Sequence, residues 1–94
     1  MIKSFKGREA RRLFDGKFSR RLPSELQRIA ARKLEMLNAA SELASLRVPP
    51  ANRLERLKGQ RAGQYSIRIN DQWRICFTWR QGHAYNVEIV GYHK

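Results

Sequence analysis

Apolar positions recur at helical spacing in the first half of this chain and alternate with polar ones in the second. Leu26, Ile29, Ala30, Leu34, Leu37 and Ala40 follow the i, i+3/i+4 rule, which predicts a helix with one buried face. Ser24 with Gln27, beside Pro23, reads as its N-terminal capping box. The helix extends to Leu43 or Leu46, and Pro49-Pro50 ends it. A shorter helix is predicted over Gly7 to Phe14, with Ala10, Leu13 and Phe14 inward, Arg8, Arg11 and Arg12 outward, and Gly16 as its stop. Ile2 to Phe5 alternates weakly and reads as a short strand.

Beyond Pro50, a glycine-punctuated loop studded with Arg and Lys (Leu54 to Gly63) runs into three predicted strands. Tyr65, Ile67 and Ile69 alternate with Ser66 and Arg68; Trp73, Ile75, Phe77 and Trp79 with Arg74, Cys76 and Thr78; Tyr85, Val87 and Ile89 with Asn86 and Glu88. Asn70-Asp71 and Gln81-Gly82 mark the turns. The expected order is β-α-α-β-β-β: a small α+β fold in which two N-terminal helices cover one face of an antiparallel sheet.

Register converts this pattern into faces. A two-residue loop at Asn70-Asp71 would oppose Ile67 to Arg74 and mix core with solvent on both faces. A three-residue loop, Asn70 to Gln72, pairs Ile69 with Trp73, Arg68 with Arg74 and Ile67 with Ile75, and a one-residue slip would invert every side chain. The same logic at Gln81-Gly82-His83 pairs Trp79 with Tyr85, Phe77 with Val87 and Ile75 with Ile89, leaving Arg74 opposite Val90. One face then packs Ile67, Ile69, Trp73, Ile75, Phe77, Trp79, Tyr85, Val87 and Ile89. The other presents Ser66, Arg68, Arg74, Cys76 and Glu88, with Tyr92 at its edge. Two arginines opposed on a sheet repel. A bound phosphate would relieve the cost; so would neutralisation by Glu88 or the C-terminus.

Ninety-four residues suit one domain, residues 1–94, with a modest core. The twenty cations include fourteen arginines, against eight acids, for a net charge of +12. The planar guanidinium fork matches phosphate, so nucleic acid is the favoured partner. A membrane surface is disfavoured, because the cations do not lie opposite an apolar stripe on one free helix. No apolar run reaches membrane-span or signal-peptide length, and the chain reads as cytoplasmic. The single cysteine, Cys76, excludes an intrachain disulfide and a cysteine-based zinc site.

The chain has no P-loop, HExxH, GxSxG or CxxC, and its only histidines are His83 and His93. Eight acids scattered over its length form no evident metal cage, so neither a metal nor any other cofactor is expected. The remaining chemistry is RNA cleavage in which the substrate's own 2′-hydroxyl attacks. Arg74, with Arg68 or Arg61, and Lys58 would supply cations for the phosphate; Tyr92 and His93 are the proton carriers. Clustered positive charge should lower both of their pKa values.

Leu57-Lys58-Gly59-x-Arg61-x-Gly63, then Tyr65-Ser66-Ile67-Arg68, Asn70-x-x-Trp73-Arg74-Ile75, a terminal Tyr92-His93 and the opening Met1-Ile2-Lys3-Ser4-Phe5 together resemble the HigB branch of RelE-type toxins. The resemblance covers nearly the whole chain. It implies a compact RelE-like ribonuclease fold, cleavage of mRNA on the translating ribosome, and neutralisation by a HigA-type helix-turn-helix antitoxin, through which alone operator DNA is contacted. It also implies that Lys58 is a catalytic lysine, Arg74 the phosphate-binding arginine of a strand, and Tyr92 and His93 a C-terminal catalytic pair. This chain departs from the pattern at Glu55, where some members carry histidine, and at Gly91, where an acid is common. Glu55 becomes a possible base, with a solvated side chain as the alternative.

Two functions compete on these grounds: a ribosome-dependent, metal-independent endoribonuclease toxin, and a non-catalytic RNA- or ribosome-binding module. Residues 1–33 hold eleven cations and three acids, and Lys3, Lys6, Arg8, Arg11 and Arg12, with Arg20, Arg21, Arg28 and Arg32, would face ribosomal RNA. Base stacking on the sheet is weakened as an idea, because Trp73, Phe77 and Trp79 fall on the predicted core face.

Overall fold

A computed structural model describes residues 1–92. Helices α1 (Glu9–Phe14) and α2 (Ser24–Ala39) precede β1 (Glu55–Arg56), β2 (Tyr65–Arg68), β3 (Trp73–Arg80) and β4 (His83–Gly91). The four strands form one antiparallel sheet in the order β1-β2-β3-β4, with both helices packed toward β4. Leu13, Leu26, Ala30, Leu34 and Leu37 meet Ile67, Ile75, Phe77 and Val87 in a core closed to solvent. Each such large apolar side chain contributes roughly 1.5–3 kcal/mol.

The α+β architecture stands as expected, with local differences. Ile2 and Phe5 form isolated parallel bridges to Ala84 and Val87 rather than a continuous strand. A fourth strand, the short β1, comes instead from within the basic loop. Helix α2 stops at Ala39, and Leu43–Arg47 continues as a 3₁₀ turn. Nor does Ser24 cap it, since its N-terminus carries no side-chain cap. Gln27 is drawn elsewhere: its buried amide donates to the Ser19 and Leu22 carbonyls, and its Oε1 accepts the Ser19 N–H. Those loop groups would otherwise be buried without partners.

The β2–β3 hairpin takes the expected register, with Ile67 opposite Ile75 and Arg68 opposite Arg74. Asn70 Oδ1 fixes it by accepting the N–H groups of Gln72 (2.9 Å) and Trp73 (3.0 Å). The β3–β4 hairpin differs. Gln81 and Gly82 both have positive φ (51° and 81°), making a two-residue turn that pairs Arg80 with His83, Trp79 with Ala84 and Thr78 with Tyr85. A bulge with Asn86 at φ 52° absorbs the extra residue, and its N–H is satisfied by Ser4 Oγ at 2.9 Å. Beyond it Cys76 opposes Glu88, Ile75 opposes Ile89 and Arg74 opposes Val90. The expected pairing therefore fails near the turn and holds around Arg74. Ala84, rather than Tyr85, fills the core beside Trp79, and Tyr85 carries the Arg80 guanidinium 4.4 Å above its ring.

A buried amide anchors the connection from α2 to the sheet. Asn52 donates to the carbonyls of Leu46 (3.1 Å) and Val48 (3.4 Å), and its Oδ1 accepts the Lys33 ammonium at 2.5 Å. Burial, helped by neighbouring Arg32, holds the Lys33 pKa below its ordinary value. Asn52→Ala should lower stability by about 1–3 kcal/mol in chemical denaturation, because carbonyls buried around the amide lose their donor.

Candidate active site

On the sheet face away from the helices, Arg74 is the fixed point. Its side chain is only 12% exposed. Nε donates to Ser66 Oγ at 2.7 Å, and Nη2 donates to the Arg53 carbonyl at 2.6 Å and the Ser66 carbonyl at 3.4 Å. Nη1 lies 3.8 Å from Glu55 Oε1, an ion-pair separation. Each acceptor has its own cause. Ser66 neighbours Arg74 across the β2–β3 ladder, and β1 holds Glu55 opposite Ser66. Arg53 sits in the left-handed region (φ 45°) directly after the anchored Asn52. The guanidinium thus has three bonds fixing its plane, with the Nη1 edge turned toward Glu55.

A cleft of about 370 Å³ opens there, lined by Arg53, Glu55, Arg68, Asn70, Asp71, Arg74 and Tyr92. Arg68 stands opposite Arg74 as expected, and its counter-charge is Asp71 in the hairpin turn. Glu88, one of the neutralisers considered from sequence, is engaged instead by Arg61 (3.1 Å) and Lys6 (3.9 Å). Asp71 is 91% exposed, so an incoming anion can displace it from Arg68 with little desolvation of the carboxylate.

Tyr92 enters at the end of β4, its N–H donating to the Gln72 carbonyl at 2.5 Å. Its hydroxyl lies 3.7 Å from the buried Cys76 Sγ. Contrary to the expectation from charge alone, the Tyr92 pKa is raised: burial and the Cys76 contact outweigh the opposing pull of Arg61 and Arg74. Burial likewise pushes the Cys76 thiol up. Nor are Ser66 and Cys76 open to solvent on this face: both are fully buried, in contact with Arg74 and Tyr92 respectively.

The structure therefore brings Arg68, Arg74, Tyr92 and Glu55 into one cleft. Arg61 lies beside it, bonded to Glu88 and Gln64 and electrostatically coupled to Tyr92 and Cys76. Lys58 is exposed where the Gly59–Arg61 turn begins and is not among the lining residues. His93 lies outside the described residues. Among the N-terminal cations, Arg11 stacks 5.0 Å over Phe5, and Arg12 bonds the Phe18 carbonyl. Sequence reasoning missed Arg53, Asn70 and Asp71 as lining residues; the turn residues at 70–71 were legible only as a turn.

A family model described as RelE-like toxin of type II toxin-antitoxin system HigB matches residues 3–93. The chain belongs to the HigB-like toxin family. It is 44% identical over 75 residues to Toxin HigB-1 of Vibrio cholerae, covering 80% of this chain and 79% of that protein. To Endoribonuclease HigB of Proteus vulgaris it is 35% identical over 94 residues, covering 99% of this chain and 100% of that one. The fold matches YoeB in the YoeB-YefM complex from Staphylococcus aureus, with a TM-score of 0.59 at 17% identity over 100% of this chain and 99% of that one. The YoeB dimer from the same organism gives 0.57 at 20% identity, over 99% and 98% of the two chains. In this member of the family a short β1 and an anchored loop close over a strand arginine.

Ultraviolet titration of the protein, with Tyr92→Phe subtracted, should place Tyr92 above the ordinary tyrosine value of about 10. Cys76→Ala should bring it down, and an unchanged value would show that the thiol contact plays no part. Because the folded pKa is raised, the unfolded chain ionises first. Folding stability from this group should therefore fall as pH climbs past the ordinary tyrosine range.

Proposed function

We propose that this chain is a ribosome-dependent endoribonuclease toxin that cuts mRNA during translation by metal-free attack of the 2′-hydroxyl. The observation that carries the reading is the immobilised Arg74 guanidinium, its Nη1 edge facing a cleft shared with Arg68, Glu55 and Tyr92. The name of the Proteus vulgaris relative, Endoribonuclease HigB, supports it.

In this mechanism Arg74 and Arg68 bind the scissile phosphate and stabilise the charge that grows on it in the transition state. Pre-set hydrogen bonds spare Arg74 any reorganisation as that charge develops. Glu55, on the same wall, accepts the 2′-hydroxyl proton. Tyr92, which lines the same cleft with its hydroxyl beside Cys76 Sγ, donates a proton to the departing 5′-oxygen. This assigns Tyr92 the acid role rather than the base. Arg61 supports the cleft through Glu88, and Lys58 acts as a peripheral charge reached only if its turn moves inward. His93 keeps the role of second proton carrier that the family resemblance gives it. The cations of the N-terminal third dock the protein on ribosomal RNA, in the cytoplasm. A HigA-type helix-turn-helix antitoxin neutralises it and mediates any contact with operator DNA.

Expression of the wild type should arrest growth and create new mRNA 5′ ends, whereas Arg74→Ala should lose roughly 10²–10³ of the cleavage rate. Equal arrest by both, with no new 5′ ends, would favour a non-catalytic binding module. Messages carrying a 2′-deoxy nucleotide just upstream of the cut should resist cleavage; continued cutting would exclude 2′-hydroxyl attack. Ser66→Ala, which removes the acceptor for Arg74 Nε, should lower kcat about tenfold with little change in KM. Ser66→Thr should recover most of that loss.

A further inference from the structure

The loop joining α1 to α2 holds an aromatic ring out to solvent on a backbone that is fixed from both sides. Arg12 donates from Nε (3.0 Å) and Nη2 (2.7 Å) to the Phe18 carbonyl. Lys17 N–H bonds the Arg12 carbonyl at 2.8 Å. Immediately after Phe18, the Ser19 backbone is clamped by the buried Gln27 amide, at 3.0 Å and 2.6 Å. Ser19 and Leu22 are buried, yet Phe18 between these anchors is 58% exposed. A floppy loop would let the ring fold back onto the protein, and this one is not floppy. The ring borders a concavity of about 860 Å³, which Arg8, Arg12, Arg20 and Arg21 also line. Glu9 is the one carboxylate lining it, and Arg21 Nε lies 3.8 Å from its Oε1. The concavity is built from the start of α1 and the α1–α2 loop, and it shares no lining residue with the Arg74 cleft.

We propose that this concavity is a second RNA-contact site, which takes one unpaired nucleotide by stacking its base on Phe18 and binding its phosphates to Arg20 and Arg8. The proposal rests on the RNA-directed part of the reading above and gives the basic N-terminal third a specific subsite. Every base has a π face, so an exposed ring on a rigid loop is a sequence-tolerant platform. Guanidinium forks around it match the phosphates on either side of the stacked base. An acidic protein segment would satisfy the charges, but it has no regular need for a bare aromatic face among them. Because the site and the cleft share no lining residue, the two have separate tasks: the cleft takes the strand to be cut, and the Phe18 site anchors the protein.

The test uses the full chain carrying Arg74→Ala, so that RNA stays intact, and a fluorescent single-stranded RNA oligonucleotide read by anisotropy. Adding Phe18→Ala should raise Kd roughly tenfold with thermal stability unchanged, since the ring packs little. Phe18→Tyr should restore affinity, and Arg20→Ala should reduce the salt slope by about one. Unchanged RNA affinity in Phe18→Ala overturns the proposal. So does a Phe18→Ala chain that keeps RNA affinity but no longer binds a co-expressed HigA-type antitoxin, which would make the surface a protein interface. The two readings fail separately: an Arg74-intact chain that cuts mRNA although the Arg74→Ala chain shows no Phe18-dependent binding keeps the catalytic reading and loses this one. Phe18-dependent binding without any cleavage does the reverse.

Discussion

The structure turns on a nearly buried guanidinium standing opposite another arginine. Placing Arg74 on an interior ladder position beside Arg68 sets a desolvation cost and a repulsion against folding. Ser66 Oγ and the carbonyls of Arg53 and Ser66 offset the first, and Glu55 and Asp71 offset the second. Much of the surrounding architecture can be understood as meeting these needs. Asn52 anchors the chain so that Arg53 presents its carbonyl, β1 places Glu55, and the Asn70 turn sets both the register and the position of Asp71.

The acids around the cleft have a common character. Glu55 and Asp71 are exposed carboxylates paired with less exposed arginines. Exposed ion pairs are weak, and their carboxylates can return to water at small cost. The cleft therefore pairs its arginines well enough to fold while leaving their carboxylate partners in contact with water. Glu88, which is mostly buried, is the exception: its pair with Arg61 is shielded from water, and Arg61 acts electrostatically on Tyr92 and Cys76. Burial around Tyr92 has the opposite effect on its proton from the nearby guanidiniums, and burial prevails. Local desolvation, rather than net charge, sets the direction in which this tyrosine's pKa moves.

Legibility followed the range of the interaction. Helix α2, the β2–β3 register and the opposition of Arg68 to Arg74 were readable, because each follows from periodicity and from a rule that one face must be apolar. The β3–β4 register was readable only in part. Its turn and its bulge are two compensating one-residue changes, and the alternation pattern is the same on either side of the pair. The end of α2 and the use of Gln27 were hidden, because a buried loop backbone competed for a side chain that local rules assign to a cap.

By itself, the sequence determined the α+β class, the basic character, the family resemblance and the face on which Arg74 stands. These depend on spacing and composition, which are properties of the chain in one dimension. Only the tertiary structure decided that Arg53, Asn70 and Asp71 belong to the cleft, that Lys58 stands outside it, and that the Tyr92 pKa moves up rather than down. A carbonyl's aim, a carboxylate's partner and a hydroxyl's contact arise where distant segments meet. No local pattern encodes those meetings, because the energies that fix them belong to pairs of residues far apart in the chain.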